Sequence, residues 1–293
     1  MTYSLVARDP RTGDLGVAVQ SHWFSVGTVV PWGRPGVGVV ATQSVAEPAY
    51  GPRLLDRLQT GDAPREALDA LLQTDEAARY RQVAVLGPAG QPAVHTGDRC
   101  IPHAGHVAAE DHAAQANMMA RQGVPEAMAG TFAATTGPLA RRLLAALHAA
   151  ERAGGDVRGR QSAALLVVAP RGEPWRTVVD LHVADHRDPL GELERLMDLH
   201  EAYADATRGD DLVAAGRHDE AGAAYAAAAR RAPGSLELRF WAALALAARG
   251  DAQTAAAEVR AVAAEHPGWM DLLERLEPDV TPGAGAVRDA LAS

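Results

Sequence analysis

Short apolar runs separated by turn residues open the chain. Residues 3–8 and 15–20 flank a turn cluster at 9–14, which predicts a β-hairpin. A third apolar run, residues 37–42, lies between Gly36 and the polar pair Gln43-Ser44 and predicts a buried strand. The chain is therefore expected to begin with antiparallel strands.

Helical and strand patterns then alternate in pairs. The patterns predict helices over residues 52–59, 64–73, 108–134 and 139–152, and strand pairs at 83–86 with 93–96 and at 162–168 with 177–183. Helix pairs between strand pairs are typical of helices that cover stacked antiparallel sheets. This order predicts an α+β fold, a four-layer αββα sandwich, over residues 1–196.

The pattern becomes purely helical after residue 196. Three residue types recur 34 positions apart, with Gly216 repeated as Gly250, Ala221 as Ala255 and Pro233 as Pro267. The spacing resembles the tetratricopeptide repeat, in which a turn at Gly joins two helices and Pro marks the exit. We expect helical repeats over residues 197–278 and a loose tail over 279–293. The alternative is a plain helical extension.

Composition excludes several classes of function. All 28 basic residues are Arg and the net charge is −9, which rules out a Schiff-base lysine and argues against a nucleic-acid partner. The lone Cys100 cannot form an intramolecular disulfide. No run reaches the ~20 apolar residues of a membrane span, and no signal peptide is recognisable, so we expect a cytoplasmic protein. No dinucleotide, P-loop or zinc motif is present, so no cofactor or metal is expected.

Thr2 is the leading candidate nucleophile. A small residue at this position favours removal of Met1, which would leave Thr2 with a free α-amine at the start of a strand. The hydroxyl is then a nucleophile, and the amine, with a pKa of roughly 7.7–8.0, is its base. An ordinary frayed terminus is the alternative. Ser4 points to the same face of the strand and is the competing nucleophile, an orienting group or a buried hydroxyl.

Long segments of the chain support a family resemblance. MTYSLVARDPRTGDLGVAV, VPWGRPGVGVVATQ, TGDRCIPHAGH and VDLHVADHRDPLGEL resemble the bacterial domain-of-unknown-function family ten-twenty-eight, from Thr2 to Leu196. The chain departs from the family pattern AQGN, since Ala116 stands where the pattern has glycine. The resemblance implies a fold like that of N-terminal-nucleophile hydrolases, and hence hydrolysis of amide bonds.

Further polar residues are candidates for the same cleft. Asn117, the chain's one asparagine, is an oxyanion donor or a helix cap. His106 is a candidate substrate contact, and a metal held by the HxxH pair His103 and His106 is the weaker alternative. Arg160 and the adjacent Gln161 are placed to bind a substrate carboxylate, unless Arg160 lies in an exposed loop. Glu47 follows the third strand in a loop and is either a substrate contact or a solvated side chain.

Two functions follow from these residues. The first is an N-terminal-nucleophile amidohydrolase that cleaves a small amide, cyclic imide or acylated amino acid, with Thr2, Ser4 and Asn117 as its catalytic residues. The second is a non-catalytic ligand-binding or partner-recruiting protein on a hydrolase-like scaffold, with the repeats binding a protein partner.

The helical segment also predicts an assembly. Leu236, Phe240 and Leu244 recur at helical spacing, and Trp241 adjoins them. So apolar a stripe is expected to be covered, most economically in a homodimer or by folding back on the preceding domain.

Overall fold

The structure is a computed structural model that describes residues 2–173, 175, 177–277, 281 and 283–293. The chain divides into two compact units after Glu194. The first unit is mixed α/β with antiparallel sheets, and the second is helical. In the described part of the chain, no helix is both long and apolar enough to cross a bilayer.

The N-terminal unit alternates strands and helices. Its strands are β1 (Thr2–Arg8), β2 (Leu15–Ser21), β3 (Pro31–Arg34), β4 (Gly38–Ser44), β5 (Arg81–Gly87), β6 (Gly90–Thr96), β7 (Gly105–Ala108), β8 (His112–Asn117), β9 (Ser162–Val168) and β10 (Thr177–Val183). Its helices are α1 (Tyr50–Gln59), α2 (Pro64–Leu72), α3 (Val124–Ala134) and α4 (Leu139–Arg152), and α5 (Pro189–Ala214) follows.

Two antiparallel sheets carry this unit. Within the described residues, a six-stranded sheet has the order β10-β9-β2-β1-β8-β7, and a four-stranded sheet has the order β3-β4-β5-β6. The predicted hairpin is β1–β2, in register from Arg8 opposite Leu15 to Thr2 opposite Ser21. Strand β1 also pairs with β8, which makes it a central strand of the larger sheet.

Apolar side chains from both sheets form a shared core. Val17 and Val19 of β2 pack in one buried cluster with Val39 of β4 and Leu86 of β5. Burying a side chain of this size stabilises the fold by roughly 1.5–3 kcal/mol, so the paired sheets hold much of the unit's stability. Helices α1 and α2 cover the four-stranded sheet, while α3 and α4 pack on the six-stranded one.

Residues 108–134 do not form the single helix predicted from their alanine content. The structure has strand β8 at His112–Asn117, and helix α3 begins only at Val124. The prediction was wrong for the first part because pairing with β1 and β7 outweighs the helix propensity of Ala113, Ala114 and Ala116. Small side chains are compatible with this strand because it is fully buried.

The C-terminal unit contains antiparallel helical pairs. Its helices after α5 are α6 (His218–Arg231), α7 (Leu236–Ala248), α8 (Ala252–Glu265), α9 (Gly268–Arg275) and α10 (Ala284–Ala292). Gly216 and Gly250, which the sequence pattern equates, have φ values of 72° and 101° and follow the ends of α5 and α7. Glycine at such a position lets the chain leave a helix in the left-handed conformation.

The expected loose tail contains helix α10. Its Val287 is buried in one apolar cluster with Phe240 and Leu244 of α7. Alternating small and apolar residues at helical spacing explain why this segment packs rather than frays. Asp279 and Val280, also assigned to the tail, lie outside the described residues.

Contacts within the unit thus bury most of the apolar stripe on α7. Phe240 and Leu244 are at most 1% exposed, whereas Leu236 and Trp241 are only partly buried. The stripe therefore does not by itself require a second copy of the chain. The homodimer stays a prediction.

Gly283 allows α10 to pack against α7. It has φ of 96°, and an added Cβ would lie 2.1 Å from the backbone oxygen of Leu244. We expect Gly283→Ala to destabilise the helical unit by about 2–4 kcal/mol, from backbone strain plus displacement of α10. Chemical denaturation followed by circular dichroism measures this loss.

Gly250→Ala is the matched control. Gly250 also has positive φ, 101°, but nothing lies within 4 Å of its added Cβ. Only the strain of about 1–2 kcal/mol is then expected. Equal losses in the two variants would contradict the packing role of Gly283.

His112 is a buried histidine at the start of β8. The centre of its ring lies 4.9 Å from the centre of the Phe132 ring on α3. The guanidinium of Arg142 lies over the same Phe132 ring, 4.1 Å from its centre. Burial lowers the pKa of His112 below its usual value, Arg142 lowers it further, and Asp111 opposes the shift. The folded state therefore favours neutral His112.

This lowered pKa predicts acid sensitivity. In the unfolded chain, His112 binds its proton with a pKa of about 6.5. The contribution of neutral His112 to the free energy of unfolding is therefore fully present above that pH and is lost as the pH falls below it. We expect His112→Gln to flatten the fall in unfolding free energy between about pH 7 and pH 5, measured by urea titration. The exposed His218→Gln is the control, and an unchanged slope for His112→Gln would contradict the assignment.

Candidate active site

Thr2 lies at one end of the interface between the two sheets. It begins β1 between Ser21 of β2 and Asn117 of β8, and it is 6% exposed. Strand alternation points Thr2 and Ser4 toward the four-stranded sheet, whereas Tyr3 reaches Glu151 on α4. The Thr2 hydroxyl thus lies where strand ends of both sheets meet.

Three side chains bind Thr2 directly. Its Oγ1 is 3.1 Å from Ser21 Oγ, in a hydrogen bond that either hydroxyl can donate. Its carbonyl oxygen accepts from Gln43 Nε2 at 3.2 Å and from Asn117 Nδ2 at 3.4 Å. These contacts fix both the backbone and the side chain of the residue.

Gln82, on β5, holds the two amides that bind Thr2. Its Oε1 accepts from Gln43 Nε2 at 2.7 Å and from Asn117 Nδ2 at 2.9 Å. Its Nε2 lies within donor distance of Thr96 Oγ1 and of the Ala116 carbonyl oxygen, at 3.0 and 2.9 Å. Gln82 is fully buried, so its hydrogen bonds replace those of water and set the positions of its neighbours.

Ser4 is bound on both sides within the same network. Its hydroxyl donates to Gln43 Oε1 at 2.7 Å and accepts from Gln115 Nε2 at 3.2 Å. Ser4 is fully buried, and its hydrogen is already donated. This geometry fits an orienting group better than a second nucleophile.

His106 reaches the network through Thr96. Thr96 Oγ1 accepts from Gln82 and lies 2.9 Å from His106 Nδ1, so the hydroxyl hydrogen is available for that nitrogen. Burial lowers the pKa of His106, and nearby His95 and Arg65 lower it further. Neutral His106 accepts from Thr96 or donates to it, according to its tautomer, and the network that surrounds Thr2 carries no charge in the contacts described.

Arg160 lies behind β1 rather than beside the Thr2 side chain. Arg160 NH1 contacts Asp188 Oδ1 at 2.9 Å, and its Nε is 3.6 Å from Glu151 Oε1. Glu151 accepts from Tyr3, whose side chain leaves β1 on the face opposite to Thr2. Gln161 is half-buried, and its backbone oxygen accepts from His186. No described contact joins Arg160 or Gln161 to Thr2.

Glu47 lies at the start of α1. Its carboxylate accepts from the backbone N–H of Ala49 at 3.1 Å, and it lines a cavity of about 200 Å³ together with Asp75 and Arg81. In the described contacts Glu47 binds the loop before α1 and does not reach Thr2.

The three neighbouring histidines do not converge. His103 Nδ1 bonds to the Met119 carbonyl oxygen, His106 bonds to Thr96, and His112 packs on Phe132 at the other end of β8. Among the residues that the structure describes, no group of three His, Cys, Asp or Glu side chains is placed to hold a metal ion.

The sequence interpretation missed Ser21, Gln43 and Gln82. The register of the predicted hairpin contains the signal for Ser21, since pairing residue 8 with 15 places residue 2 opposite 21. Gln43 and Gln82 are polar residues at the ends of apolar strands, and their pairing across β4 and β5 depends on tertiary register. Local patterns do not contain that register.

Comparisons with known proteins identify relatives of the N-terminal unit. The model of a family of unknown function, DUF1028, matches residues 2–193. The chain is 35% identical to a crystal structure of a DUF1028 protein from Silicibacter pomeroyi, with a TM-score of 0.62, and the match covers 67% of this chain and 84% of that one. These matches confirm the family resemblance seen in the sequence.

A second solved structure is more distant. Anbu (ancestral beta-subunit) from Yersinia bercovieri is 10% identical with a TM-score of 0.35, over 66% of this chain and 91% of that one. No curated protein matches the chain significantly.

The network predicts a large effect of one buried amide. Gln82→Leu removes one of two acceptors from Gln43 Nε2 and from Asn117 Nδ2, and it removes the donor to Thr96 and Ala116, at about 1–3 kcal/mol for each buried group that loses its partner. We expect a loss of about 3 kcal/mol or more in unfolding free energy, measured by denaturant titration. The exposed Gln73→Leu is the control, and a similar small loss in both variants would contradict the role of Gln82.

Proposed function

The chain belongs to the DUF1028 family, and we propose that it is an amidohydrolase whose nucleophile is the hydroxyl of Thr2. Removal of Met1 would expose the Thr2 α-amine as the catalytic base. The substrate is a small amide, a cyclic imide or an acylated amino acid. Met1 itself lies outside the described residues.

The placement of Thr2 is the observation that supports this proposal. The residue starts a central strand at the end of the sheet interface, and its carbonyl oxygen accepts from two buried side-chain amides. In the described contacts, its hydroxyl is hydrogen-bonded to the neutral hydroxyl of Ser21 at 3.1 Å. An ordinary chain start has no such set of buried partners.

The proposed reaction proceeds through an ester. Thr2 Oγ1 attacks the substrate carbonyl carbon while the hydroxyl proton moves to the α-amine. The amine then gives this proton to the leaving nitrogen as the C–N bond breaks, which leaves an acyl ester on Thr2. Water, deprotonated by the same amine, hydrolyses the ester, releases the carboxylic acid and restores the hydroxyl.

The neighbours of Thr2 support it in different ways. Ser21 orients the attacking hydroxyl, and Ser4 holds Gln43 in place. Both described contacts of Asn117 Nδ2 are to Thr2 and Gln82, which favours a positioning role. Its role as an oxyanion donor stays a prediction.

The scaffold fits the same proposal. Helices α1 and α2 cover one sheet, α3 and α4 cover the other, and the two sheets share a core. We infer the four-layer αββα arrangement of N-terminal-nucleophile hydrolases from these contacts. The 34-residue spacing of Gly216 and Gly250 likewise supports a tetratricopeptide-like helical unit.

A non-catalytic binding protein is the second candidate. The helical unit contains a cavity of about 310 Å³ lined in part by Tyr225, Trp241 and Asp210. A partly apolar cavity of this size fits a small ligand or a side chain of a protein partner.

Replacement of Thr2 separates these candidates. We expect wild-type protein to release ammonia or amine from members of a panel of small amides, cyclic imides and acylated amino acids, and Thr2→Ala to lose at least about 1,000-fold in kcat because the nucleophile is gone. Thr2→Ser, which keeps a hydroxyl, should retain measurable turnover. Unfolding free energies of the three proteins should agree within about 1 kcal/mol.

Intact mass provides the control on processing. The proposal requires that Met1 is absent from the active protein. Retained Met1 in protein that still turns over amides, or equal rates for wild type and Thr2→Ala, would overturn the assignment of Thr2.

A further inference from the structure

Large exposed apolar side chains are concentrated at the end of the N-terminal unit that contains Thr2. We define the apolar rim as six residues that are 41–66% exposed: Trp23, Phe24, Val45, Tyr80, Ile101 and Val157. Other large exposed apolar side chains of the described residues, Trp175, Val178 and Tyr203, lie in the β9–β10 region and on α5.

Strand connections bring the rim to the candidate nucleophile. Trp23 follows Ser21, the residue bonded to Thr2, by two positions. Val45 directly follows β4, whose Gln43 binds the Thr2 carbonyl oxygen. The Ile101 carbonyl oxygen accepts from Met118, the residue after Asn117.

Specific hydrogen bonds hold the rim loops in place. The Ser162 hydroxyl donates to the Trp23 carbonyl oxygen and accepts from Val26 N at 3.1 Å. Arg81 donates to the Val45 carbonyl oxygen at 2.7 Å. The backbone at Trp23 and Val45 is thus held in place by hydrogen bonds from buried or partly buried side chains.

Exposing several large apolar side chains close together to water is unfavourable in free energy, and a ligand that covers them removes this penalty. Binding sites are commonly apolar surfaces that surround a few fixed polar groups. Trp23, Val45 and Ile101 of the rim lie at the same strand ends as the Thr2 hydroxyl and its amide network. We propose that the substrate is an amide with a large apolar acyl group, held by the rim with its carbonyl carbon at Thr2 Oγ1.

This inference rests on the proposed function and names its substrate class. Trp23 and Phe24 are the specificity-determining residues, since these two aromatic side chains are 59% and 66% exposed and follow Ser21 by two and three positions in the chain. An acyl chain that lies across them loses water contact in proportion to its length. Small acyl groups such as acetyl gain little from the same surface.

Binding to the full-length Thr2→Ala variant tests the substrate class without turnover. The probes are acetamide, butanamide, hexanamide and phenylacetamide, with dissociation constants measured by ligand-observed NMR. We expect hexanamide to bind about fourfold more tightly than butanamide, as for two added methylene groups that are half covered. Trp23→Ser with Phe24→Ser in the same background should reduce this ratio to about one.

Trp175→Ser is the matched control, because Trp175 is 68% exposed and lies between β9 and β10, at the opposite end of those strands from Ser162. It should leave the binding ratio unchanged. Thermal unfolding of all variants checks that the folds are equally stable.

Turnover of the same amides by the Thr2-containing protein distinguishes the two proposals. Length-dependent binding without turnover would support the apolar ligand class and overturn the hydrolase. Turnover without dependence on acyl length would support the hydrolase and overturn the apolar class. Loss of a dimer in the Trp23/Phe24 double variant, measured by sedimentation, would show that the rim is a subunit interface and would also overturn the substrate class.

Discussion

The N-terminal unit depends on one constraint: side-chain amides buried between its two apolar sheets need hydrogen-bond partners. Gln43, Gln82 and Gln115 are at most 1% exposed, and the side-chain nitrogen of each donates to partners within the protein. Their partners come from different strands of both sheets. A shift of one residue in any of these strands would turn the amide away from its partners, so the network specifies the register of the sheets.

The same constraint gives the candidate site its character. The side chains that surround Thr2 are hydroxyls and amides, and neutral His106 joins them through Thr96. Such a network orients a hydroxyl without the large desolvation cost of a buried charge. Charge needed in the proposed reaction must then come from the α-amine, whose pKa lies close to neutrality. A neutral network beside an apolar rim fits a substrate whose recognition depends on shape and apolar contact more than on ion pairs.

Local sequence patterns predict those parts of the fold that depend on local chemistry. The hairpin of β1 and β2 follows from alternation and a turn cluster, and α4 follows from its helical periodicity. The sequence pattern did not predict strand β8, because its alanines favour a helix. Pairing with the neighbouring strands β1 and β7 makes this segment a strand. For the site, alternation placed Thr2 and Ser4 on one face, but the partners of both come from β4 and β8, far away in sequence. Arg160 shows most clearly what the sequence does not predict. Its place in the sequence puts it near the strand end that contains Thr2, but does not determine on which face of the sheet its side chain lies.

The two faces of β1 explain how a residue at the start of a strand is held in place. On the helix side, the buried Tyr3 hydroxyl donates to Glu151 at 2.8 Å, and burial followed by the charge of Glu151 raises the pKa of Tyr3 well above its usual value. Tyr3 therefore remains a donor across the physiological pH range. On the other side, Gln43 and Asn117 bind the carbonyl oxygen of Thr2. Because adjacent residues are fixed from opposite faces, rotation or sliding of the strand at its first residues would break hydrogen bonds on both faces, and the Thr2 side chain keeps its direction toward the four-stranded sheet.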